Sequence, residues 1–263
     1  MSEEAGIRYA LDDRGLARVV IDRPDRMNAV DTAAERALID VWEAIERDAR
    51  VRCVILTGAG ERAFSTGADM KSEGGKSGLE YWAAERLGGF GGIALRETLD
   101  VPVIARVNGH ALGGGMEMVL GCDIVVAARH ATLGLPEPRV GRLALDGGIA
   151  LLPRRIPHVW AMGLLLTGRR ISADDALRLG LVNEVVEGAQ LDDAVRRWVD
   201  DILACAPLSL RAIKQMVRHG AHLGAREAQQ LRLPALVAAL ASADQEEGVR
   251  AFREKREPRW TGR

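Results

Sequence analysis

The chain contains, at residues 108–117, the stretch Asn108-Gly109-His110-Ala111-Leu112-Gly113-Gly114-Gly115-Met116-Glu117. Its three consecutive glycines tolerate backbone angles that other residues avoid and let a ligand approach the main chain closely. The apolar run that follows predicts a helix start, where unpaired N–H groups and a partial positive charge favour a negatively charged oxygen. Because Glu117 follows at once, the stretch predicts acid–base chemistry beside an oxyanion. A tight turn with close helix packing explains the glycines equally well.

Composition narrows the class of protein. The chain has 263 residues, of which 48% are hydrophobic and 28% charged, and this predicts one large globular domain or one domain with a smaller appendage. A formal net charge of −1 gives no bulk reason to expect nucleic acid or an anionic membrane as partner. The three cysteines form no Cys-x-x-Cys or Cys/His cluster, so we expect no metal site and buried free thiols. No secretory signal and no membrane-spanning run is evident, which favours a cytoplasmic location.

Hydrophobic periodicity predicts strands and helices in the first part of the chain and helices alone from about Leu191. Gly88, Gly89, Gly91 and Gly92 make the helix predicted over residues 79–99 soft in its middle. Pro234 should kink or split the last helical stretch. Strands are predicted over residues 7–11, 16–21, 51–57, 103–107, 123–128 and 131–135, and further helices over residues 159–166, 173–179, 191–204, 208–219 and 226–253.

A second carboxylate, Glu137, follows the last of these strands between Pro136 and Pro138. Flanking prolines stiffen the backbone and can hold a side chain in one direction. Two positioned carboxyl groups can act as general base and general acid if their environments separate their pKa values. Taken singly, Glu117 and Glu137 are equally explained as solvated surface residues.

The order and full text of several segments are more specific. Residues 107–117 and residues 63–71 (Ala-Phe-Ser-Thr-Gly-Ala-Asp-Met-Lys) resemble the two defining segments of the crotonase, or enoyl-CoA hydratase/isomerase, superfamily. The resemblance spans nearly the whole chain and implies an α/β fold, a crotonase-type spiral of ββα units with a C-terminal helical trimerisation region. It divides the chain into a spiral core with the acyl-CoA site (residues 1–190) and the helical region (residues 191–263). Further matching segments are residues 21–24, 28–29, 166–173, 179–183 and 251–256.

The resemblance also assigns the chemistry. It implies that the N–H groups of Ala68 and Gly114 polarise the thioester carbonyl of an acyl-CoA and stabilise the enolate oxyanion. Glu117 and Glu137 align with the two catalytic glutamates of the hydratases, and we assign Glu117 as the base on water and Glu137 as the acid. The presence of both favours enoyl-CoA hydration over isomerisation with a single base.

By the same resemblance, CoA contacts come from residues spread along the chain, and CoA is part of the substrate, with no separate cofactor expected. Self-association as a trimer or hexamer is implied, since two of the contacts are supplied by a neighbouring subunit. The residues of the site's own subunit are Arg23, Ala29, Ala68, Asp69, Met70, Lys71 and Gly114, and those from the neighbour are Phe252 and Lys255.

The chain departs from the common hydratase pattern at residues 141–152. Ala144-Leu145 stand where a proline–glycine pair is usual, and Asp146 is an added acid. The carnitinyl-CoA dehydratase branch of the family also carries an acid here and has a similar C-terminus. Leu145 and Asp146 therefore form a candidate acyl pocket with residues 79–99, although Asp146 before a helix also suits an N-cap. The predicted function is enoyl-CoA hydratase; carnitinyl-CoA dehydratase-like or isomerase activity is the alternative, and a non-catalytic or RNA-binding protein a remote one.

Overall fold

The computed structural model describes residues 5–71, 78–84, 86 and 88–263. Ten strands are found in this part of the chain, and six of them lie within two residues of a predicted strand. They are β1 (Ile7–Leu11), β2 (Leu16–Ile21), β3 (Cys53–Gly58), β4 (Ala63–Ser65), β5 (Val103–Val107), β6 (His110–Leu112), β7 (Ile124–Ala128), β8 (Thr132–Gly134), β9 (Arg170–Ser172) and β10 (Glu184–Val186).

The strands form two sheets. The larger sheet has the order β1-β2-β3-β5-β7-β10, and all its pairs are parallel except the β1–β2 hairpin. The smaller sheet has the order β4-β6-β8-β9, with only β8–β9 antiparallel. Three consecutive strand pairs, β3–β4, β5–β6 and β7–β8, each place one strand in the larger sheet and the next in the smaller one. This repetition is the ββα spiral that the sequence predicts.

The described helices connect and cover these sheets. Helix α1 begins after Asp31, whose side chain accepts a hydrogen bond of 2.9 Å from the Ala34 amide, and it buries an apolar stripe that includes Leu38 and Trp42. The helices are α1 (Thr32–Arg47), α2 (Gly78–Ala83), α3 (Gly114–Gly121), α4 (Gly148–Arg155), α5 (His158–Thr167), α6 (Ala173–Arg178), α7 (Leu191–Ala204), α8 (Pro207–Gly220), α9 (Ala225–Gln229), α10 (Pro234–Leu240) and α11 (Ala243–Glu254).

The core lies on both faces of the larger sheet. One apolar cluster joins that sheet to α1 and α3, and a second packs α7 against the opposite face of the central strands. Two buried asparagines tie the strand ends together: Asn28 Nδ2 donates to the Ala63 carbonyl at 2.7 Å, and Asn108 Nδ2 donates to the Gly58 carbonyl at 2.9 Å. These bonds fix the start of β4 to the segment around Asn28 and the end of β3 to the segment that begins at Asn108.

Three expectations from the sequence are wrong. The helix over residues 79–99 is not continuous: α2 ends at Ala83, and Gly88, Gly89, Gly91 and Gly92 adopt positive φ angles that no α-helix contains; part of that prediction lies outside the described residues. The stretch 226–253 is split before Pro234 as predicted, with that proline in the first turn of α10, where its missing N–H costs little, but a second break between Leu240 and Ala243 was not predicted. Cys205 is exposed, although Cys53 and Cys122 are buried.

Four short strands, β4, β6, β9 and β10, have no counterpart among the predicted elements. Each has three residues, and each depends on pairing with a strand elsewhere in the chain. Within the described residues, no helix has the length and apolar character needed to cross a membrane.

Candidate active site

The glycine triplet brings helix α3 into unusually close contact with its neighbours. A Cβ atom on Gly115 would lie 2.1 Å from the Ser65 carbonyl oxygen, and one on Gly114 would lie 2.5 Å from the Phe90 ring. Gly113 has a φ of +57° and its amide donates to the Gly134 carbonyl at 3.0 Å. The triplet therefore serves both interpretations made from the sequence: it allows the tight turn and presents the first amides of α3.

The Ala68 segment lies beside this helix start. A parallel bridge joins Ala68 to Val30; the Val30 amide donates to the Gly67 carbonyl at 2.8 Å and the Asp69 amide to the Val30 carbonyl at 2.9 Å. The Ala68 amide takes no part in this bridge. A Cβ atom on Gly67, which has a φ of +85°, would lie 2.7 Å from the Gly114 nitrogen. The backbones of Gly67–Ala68 and Gly114 are thus adjacent, as a two-amide oxyanion site requires.

Glu117 lies one turn into α3 and is only 3% exposed. Its Oε1 accepts a hydrogen bond of 2.9 Å from the Gly148 amide at the start of α4. Burial is the main cause that raises the pKa of Glu117 to about 8, and the nearby charges of Asp146 and Glu137 raise it further, against the lowering effect of the Gly148 amide. A buried glutamate of this kind is not the solvated surface residue of the alternative interpretation.

Glu137 begins a short 3₁₀ turn, residues Glu137–Val140, directly after β8 and Pro136. Its Oε1 would lie 3.3 Å from a Cβ atom on Gly113, which places the carboxyl beside the start of α3. Its Oε2 is buried and has no hydrogen-bond partner among the described residues. Burial raises the pKa of Glu137. Two buried carboxyl groups, 20 residues apart in sequence, therefore converge near the Gly113–Gly114 backbone.

Asp146 is not the helix cap that the sequence suggests. Helix α4 begins after Gly147, and no side chain caps it. The Asp146 carboxylate, in a residue that is 7% exposed, instead accepts a hydrogen bond from Tyr81 and lies 3.3 Å from Arg86 Nε. Its neighbour Leu145 is exposed. The Asp146 side chain binds Tyr81 and Arg86 and does not cap α4. Both partners are distant in the chain, so a rule based on neighbouring residues does not predict them.

Residues that sequence reasoning missed complete this region. Arg86 also pairs with Glu35 of α1, and its guanidinium carbon lies 4.5 Å from the centroid of the Tyr81 ring. Gly148 supplies the amide that holds Glu117. Only the loss of the usual proline–glycine pair drew attention to this loop, and nothing local in the sequence marks Glu35, Tyr81 or Arg86.

The residues predicted to bind CoA on the site's own subunit are partly gathered. Arg23 donates to the Ala29 carbonyl at 2.7 Å, pairs with Asp31, and lies 3.5 Å from Asp69. The Asp69 side chain also accepts a bond of 3.0 Å from the Lys71 amide. Arg23, Ala29 and Asp69 thus form one edge beside Ala68, with Met70 and Lys71 exposed next to it. The charge of Arg23 is already matched by two carboxylates, so its assignment to CoA stays a prediction.

The residues predicted to act from a neighbouring subunit lie in the C-terminal region. Phe252 of α11 is 84% exposed, and Lys255 follows that helix with a φ of +54°. Their contribution to a CoA site also stays a prediction. Among the described residues, no group of His, Cys, Asp and Glu side chains is arranged to hold a metal ion.

Comparisons with known proteins show which family the chain belongs to. The chain is 37% identical over 260 residues to the carnitinyl-CoA dehydratase of Proteus mirabilis, a match that covers 96% of this chain and 98% of that protein. It is 38% identical over 247 residues to the (E)-benzylidenesuccinyl-CoA hydratase of Thauera aromatica, with 94% and 96% covered.

A solved structure, the enoyl-CoA hydratase of Bacillus anthracis, superposes with a TM-score of 0.89 at 34% identity, covering 98% of this chain and 100% of that one. A family model described as enoyl-CoA hydratase/isomerase matches residues 12–263. Since that match spans nearly the whole sequence and includes both buried glutamates and both amide segments, the chain belongs to the enoyl-CoA hydratase/isomerase family, the crotonase superfamily that the motifs predicted.

Proposed function

We propose that the chain is an enoyl-CoA hydratase that adds water reversibly, in the syn sense, to a 2-enoyl-CoA and gives a 3-hydroxyacyl-CoA. The observation that carries this proposal is the convergence of two buried carboxyl groups, Glu117 and Glu137, beside two adjacent backbone amides. Hydration needs this combination: donors for the thioester oxygen, one group for the water and one for the proton at C2.

The thioester oxygen is bound by the N–H groups of Ala68 and Gly114, and the dipole of α3 acts on the same oxygen. Such preorganised donors each contribute about 2.7–4 kcal/mol to the stabilisation of the enolate-like transition state. The small residues are a requirement of this arrangement, because the thioester must touch the main chain at both positions.

The positions of the two carboxyl groups relative to the oxyanion site suggest their roles. Glu137 lies against Gly113, next to the amide that binds the carbonyl oxygen, so it is close to C2. Glu117 lies one helical turn further on, where C3 and the attacking water would be. We therefore retain Glu117 as the group that handles water and Glu137 as the group that handles the C2 proton.

The pair carries one proton in the working enzyme. Because the charge of Glu137 raises the pKa of Glu117, we treat the two carboxyl groups as a pair that titrates together. Burial is deeper at Glu117, so the free site holds the proton there first. That microstate is the starting point for dehydration, in which Glu117 protonates the leaving hydroxyl and Glu137 removes the C2 proton; hydration starts from the other microstate.

We also propose the substrate class, assembly and location that the family resemblance implies. The substrate is an acyl-CoA thioester bound along the edge formed by Arg23, Ala29 and Ala68–Lys71, without a further cofactor. Subunits associate as trimers or hexamers through the C-terminal helices, with Phe252 and Lys255 reaching the neighbour's CoA. We place the enzyme in the cytoplasm, a proposal supported by the unpaired cysteines.

The test compares Glu117→Gln and Glu137→Gln with the unchanged protein in crotonyl-CoA hydration. Each variant should lose kcat by on the order of 100-fold or more, because general acid–base groups contribute 10²–10⁴-fold. CoA-ester binding, measured by calorimetry, should survive in both variants. Turnover close to that of the unchanged protein in either variant would rule out the two-glutamate mechanism.

Isotope exchange separates the two roles. A saturated acyl-CoA has no double bond to hydrate, but its C2 hydrogen can exchange with deuterated solvent through the same enolate. Glu137→Gln should abolish this exchange, whereas Glu117→Gln should retain a measurable fraction of it. The opposite result would exchange the two assignments and leave the reaction class unchanged.

A second candidate function is carnitinyl-CoA-type dehydration. The 37% identity to a carnitinyl-CoA dehydratase and the acidic Asp146 in the loop beside Glu117 both favour it. Activity profiling over a panel of enoyl-CoAs that includes crotonobetainyl-CoA decides between the two: a kcat/KM for crotonobetainyl-CoA well above that for crotonyl-CoA would select the dehydratase.

A further inference from the structure

Four side chains from three distant parts of the chain meet behind Glu117. Glu35 lies on α1, Tyr81 on α2, Arg86 shortly after it, and Asp146 in the loop before α4. Asp146 accepts a hydrogen bond from Tyr81 and pairs with Arg86, which also pairs with Glu35 and covers the Tyr81 ring.

The loop that carries Asp146 is packed so closely that its parts must move together. Gly148 lies against Ala144 and Leu135, because an added Cβ atom would come within 2.6 Å and 2.9 Å of their side chains. The Asp146 carbonyl oxygen would lie 2.5 Å from a Cβ atom on Gly89. Residues 144–148 therefore have little room between α3 and the glycine-rich segment around Gly89.

The same loop binds the catalytic carboxyl. Only one residue, Gly147, separates Asp146 from Gly148, whose amide donates to Glu117 Oε1 at 2.9 Å. A shift of the Asp146 side chain therefore moves the donor that orients Glu117. An Asp146 carboxylate without partners would be costly in this buried position, so its contacts with Tyr81 and Arg86 hold it in place.

We propose that Asp146 is a positioning residue for Glu117: by binding Tyr81 and Arg86 it holds the loop of residues 144–148 so that the Gly148 amide orients the Glu117 carboxyl. Its negative charge also acts on that carboxyl directly. The inference rests on the proposed function only in that Glu117 takes part in acid–base chemistry. It gives a role to the added acid of this loop.

The charge effect gives a readout that a purely structural role would not change. The charged groups that face Glu117 are Asp146 and Glu137, and Arg86 and Glu35 face Asp146 from the other side. Asp146 favours the protonated form of Glu117, since like charges repel. Removing this charge lowers the pKa at which the pair loses its last proton, so the alkaline limb of kcat/KM moves to lower pH.

The experiment measures kcat/KM against pH for Asp146→Asn and Asp146→Ala with crotonyl-CoA. Asn keeps an acceptor for Tyr81 and removes the charge, so the alkaline limb should move down by about half a pH unit or more. Ala removes both, so kcat should also fall on the order of tenfold to a hundredfold as Glu117 loses its orientation. Asp100→Asn is the matched control, because it removes a carboxylate paired with Arg218 and Gln215 of α8 and should leave the profile unchanged.

The proposal is overturned if the Asp146→Asn limb coincides with that of the unchanged protein, or if Asp146→Ala loses no more activity than Asp100→Asn. Should Asp146→Ala not fold, Tyr81→Phe removes one anchor and keeps the charge; a lower kcat without a downward shift of the limb supports the proposal, and an unchanged kcat contradicts it. Glu117→Gln distinguishes a failure of the proposed function from a failure of this inference. If that variant keeps its turnover, the proposed function fails; if it is inactive while the Asp146 variants behave like the control, only this inference fails.

Discussion

Glu117 combines a deeply buried carboxyl group with backbone donors from the loop before α4, and this environment decides how the site responds to pH. Its pKa is raised to about 8, chiefly by burial, and the pKa of Glu137 is also raised. If one proton on the pair is the active state, as we propose, kcat/KM should fall at acid pH when both groups are protonated and at alkaline pH when both are ionised.

We therefore expect a bell-shaped profile with its alkaline limb near pH 8. The same bell should appear for hydration and for dehydration, because hydration neither takes up nor releases a proton overall. Steady-state rates over pH 5–10 in both directions check this. A profile without an alkaline limb would show that the last proton is not needed, and the shared-proton mechanism would be wrong.

Gly67 is a residue whose replacement should affect activity through the main chain. Its φ of +85° disfavours any Cβ atom, and a Cβ atom would lie 2.7 Å from the Gly114 nitrogen, one of the two oxyanion donors. Gly67→Ala should lower kcat on the order of 100-fold, the effect of losing one oxyanion-hole donor.

Gly163→Ala is the control for this change. Gly163 lies inside α5 with open space around its Cα, so alanine there should stabilise the protein by about 0.5–1 kcal/mol through helix propensity. Thermal unfolding and kcat are measured for both variants. Equal kcat values in Gly67→Ala and in the unchanged protein would remove the Gly114 amide from the mechanism.

The candidate site could be predicted to the extent that it depends on local sequence. Glu117, Ala68 and Gly114 stand in motifs whose backbone geometry the glycines dictate, and the structure brings these motifs together. Asp146 could not be assigned, because its environment is set by Tyr81 and Arg86, 65 and 60 residues earlier in the chain. N-capping is a short-range pattern, whereas the Asp146 side chain is bound by residues far away in the sequence.

At the scale of elements, predictions that depend on local sequence are confirmed, and predictions that depend on contacts between distant residues are not. Helix α7 has a clear apolar stripe, and its predicted extent agrees with the structure. Helix α1 also has a clear apolar stripe, together with a local N-cap. The segment of residues 79–99 has helical periodicity, but its glycines turn the chain so that Phe90 packs against Gly114. Periodicity alone does not reveal that tertiary contacts here favour a turn.

Helix α11 depends on the C-terminal tail in a way that can be tested. The Asp244 carboxylate, in a residue that is 2% exposed, accepts hydrogen bonds from the amides of Thr261 at 2.7 Å and Gly262 at 2.8 Å. Trp260 Nε1 donates to the Ala204 carbonyl at the end of α7. The tail thus ties α11 to α7.

Asp244→Ala should lower the free energy of unfolding by about 1–3 kcal/mol, because it removes a charged acceptor that binds two backbone amides of the tail. Asp193→Ala, at an exposed ion pair with Arg196 on α7, is the control and should change stability by less than about 0.5 kcal/mol. Urea denaturation measures both. Equal midpoints for the two variants would mean that the tail contributes nothing to the stability of α11.

At the scale of the whole molecule, the fold follows from a repeated local unit. Alternating strands and crossing helices predict an α/β protein, and the motifs identify the spiral; the order of strands in the two sheets required the structure. The four strands without a predicted counterpart, β4, β6, β9 and β10, show why: each has too little sequence to carry a pattern and is held by its partners in the smaller sheet or at the end of the larger one.

The C-terminal helices leave a set of large apolar side chains exposed on a single chain, namely Ile213, Val217, Val237, Leu240, Val249 and Phe252. Patches of this kind mark interaction surfaces, and the family resemblance indicates that the partner is another copy of the chain. We expect a solution mass of about three or six times 28.4 kDa by light scattering.

If Phe252 and Lys255 complete a neighbour's CoA site, Phe252→Ser and Lys255→Ala should raise KM for crotonyl-CoA several-fold and change kcat little, because they would touch CoA and not the reacting atoms. Leu177→Ser, at an exposed position on α6, is the control and should leave both constants unchanged. A fully active monomer at micromolar concentration would contradict both the assembly and the shared site.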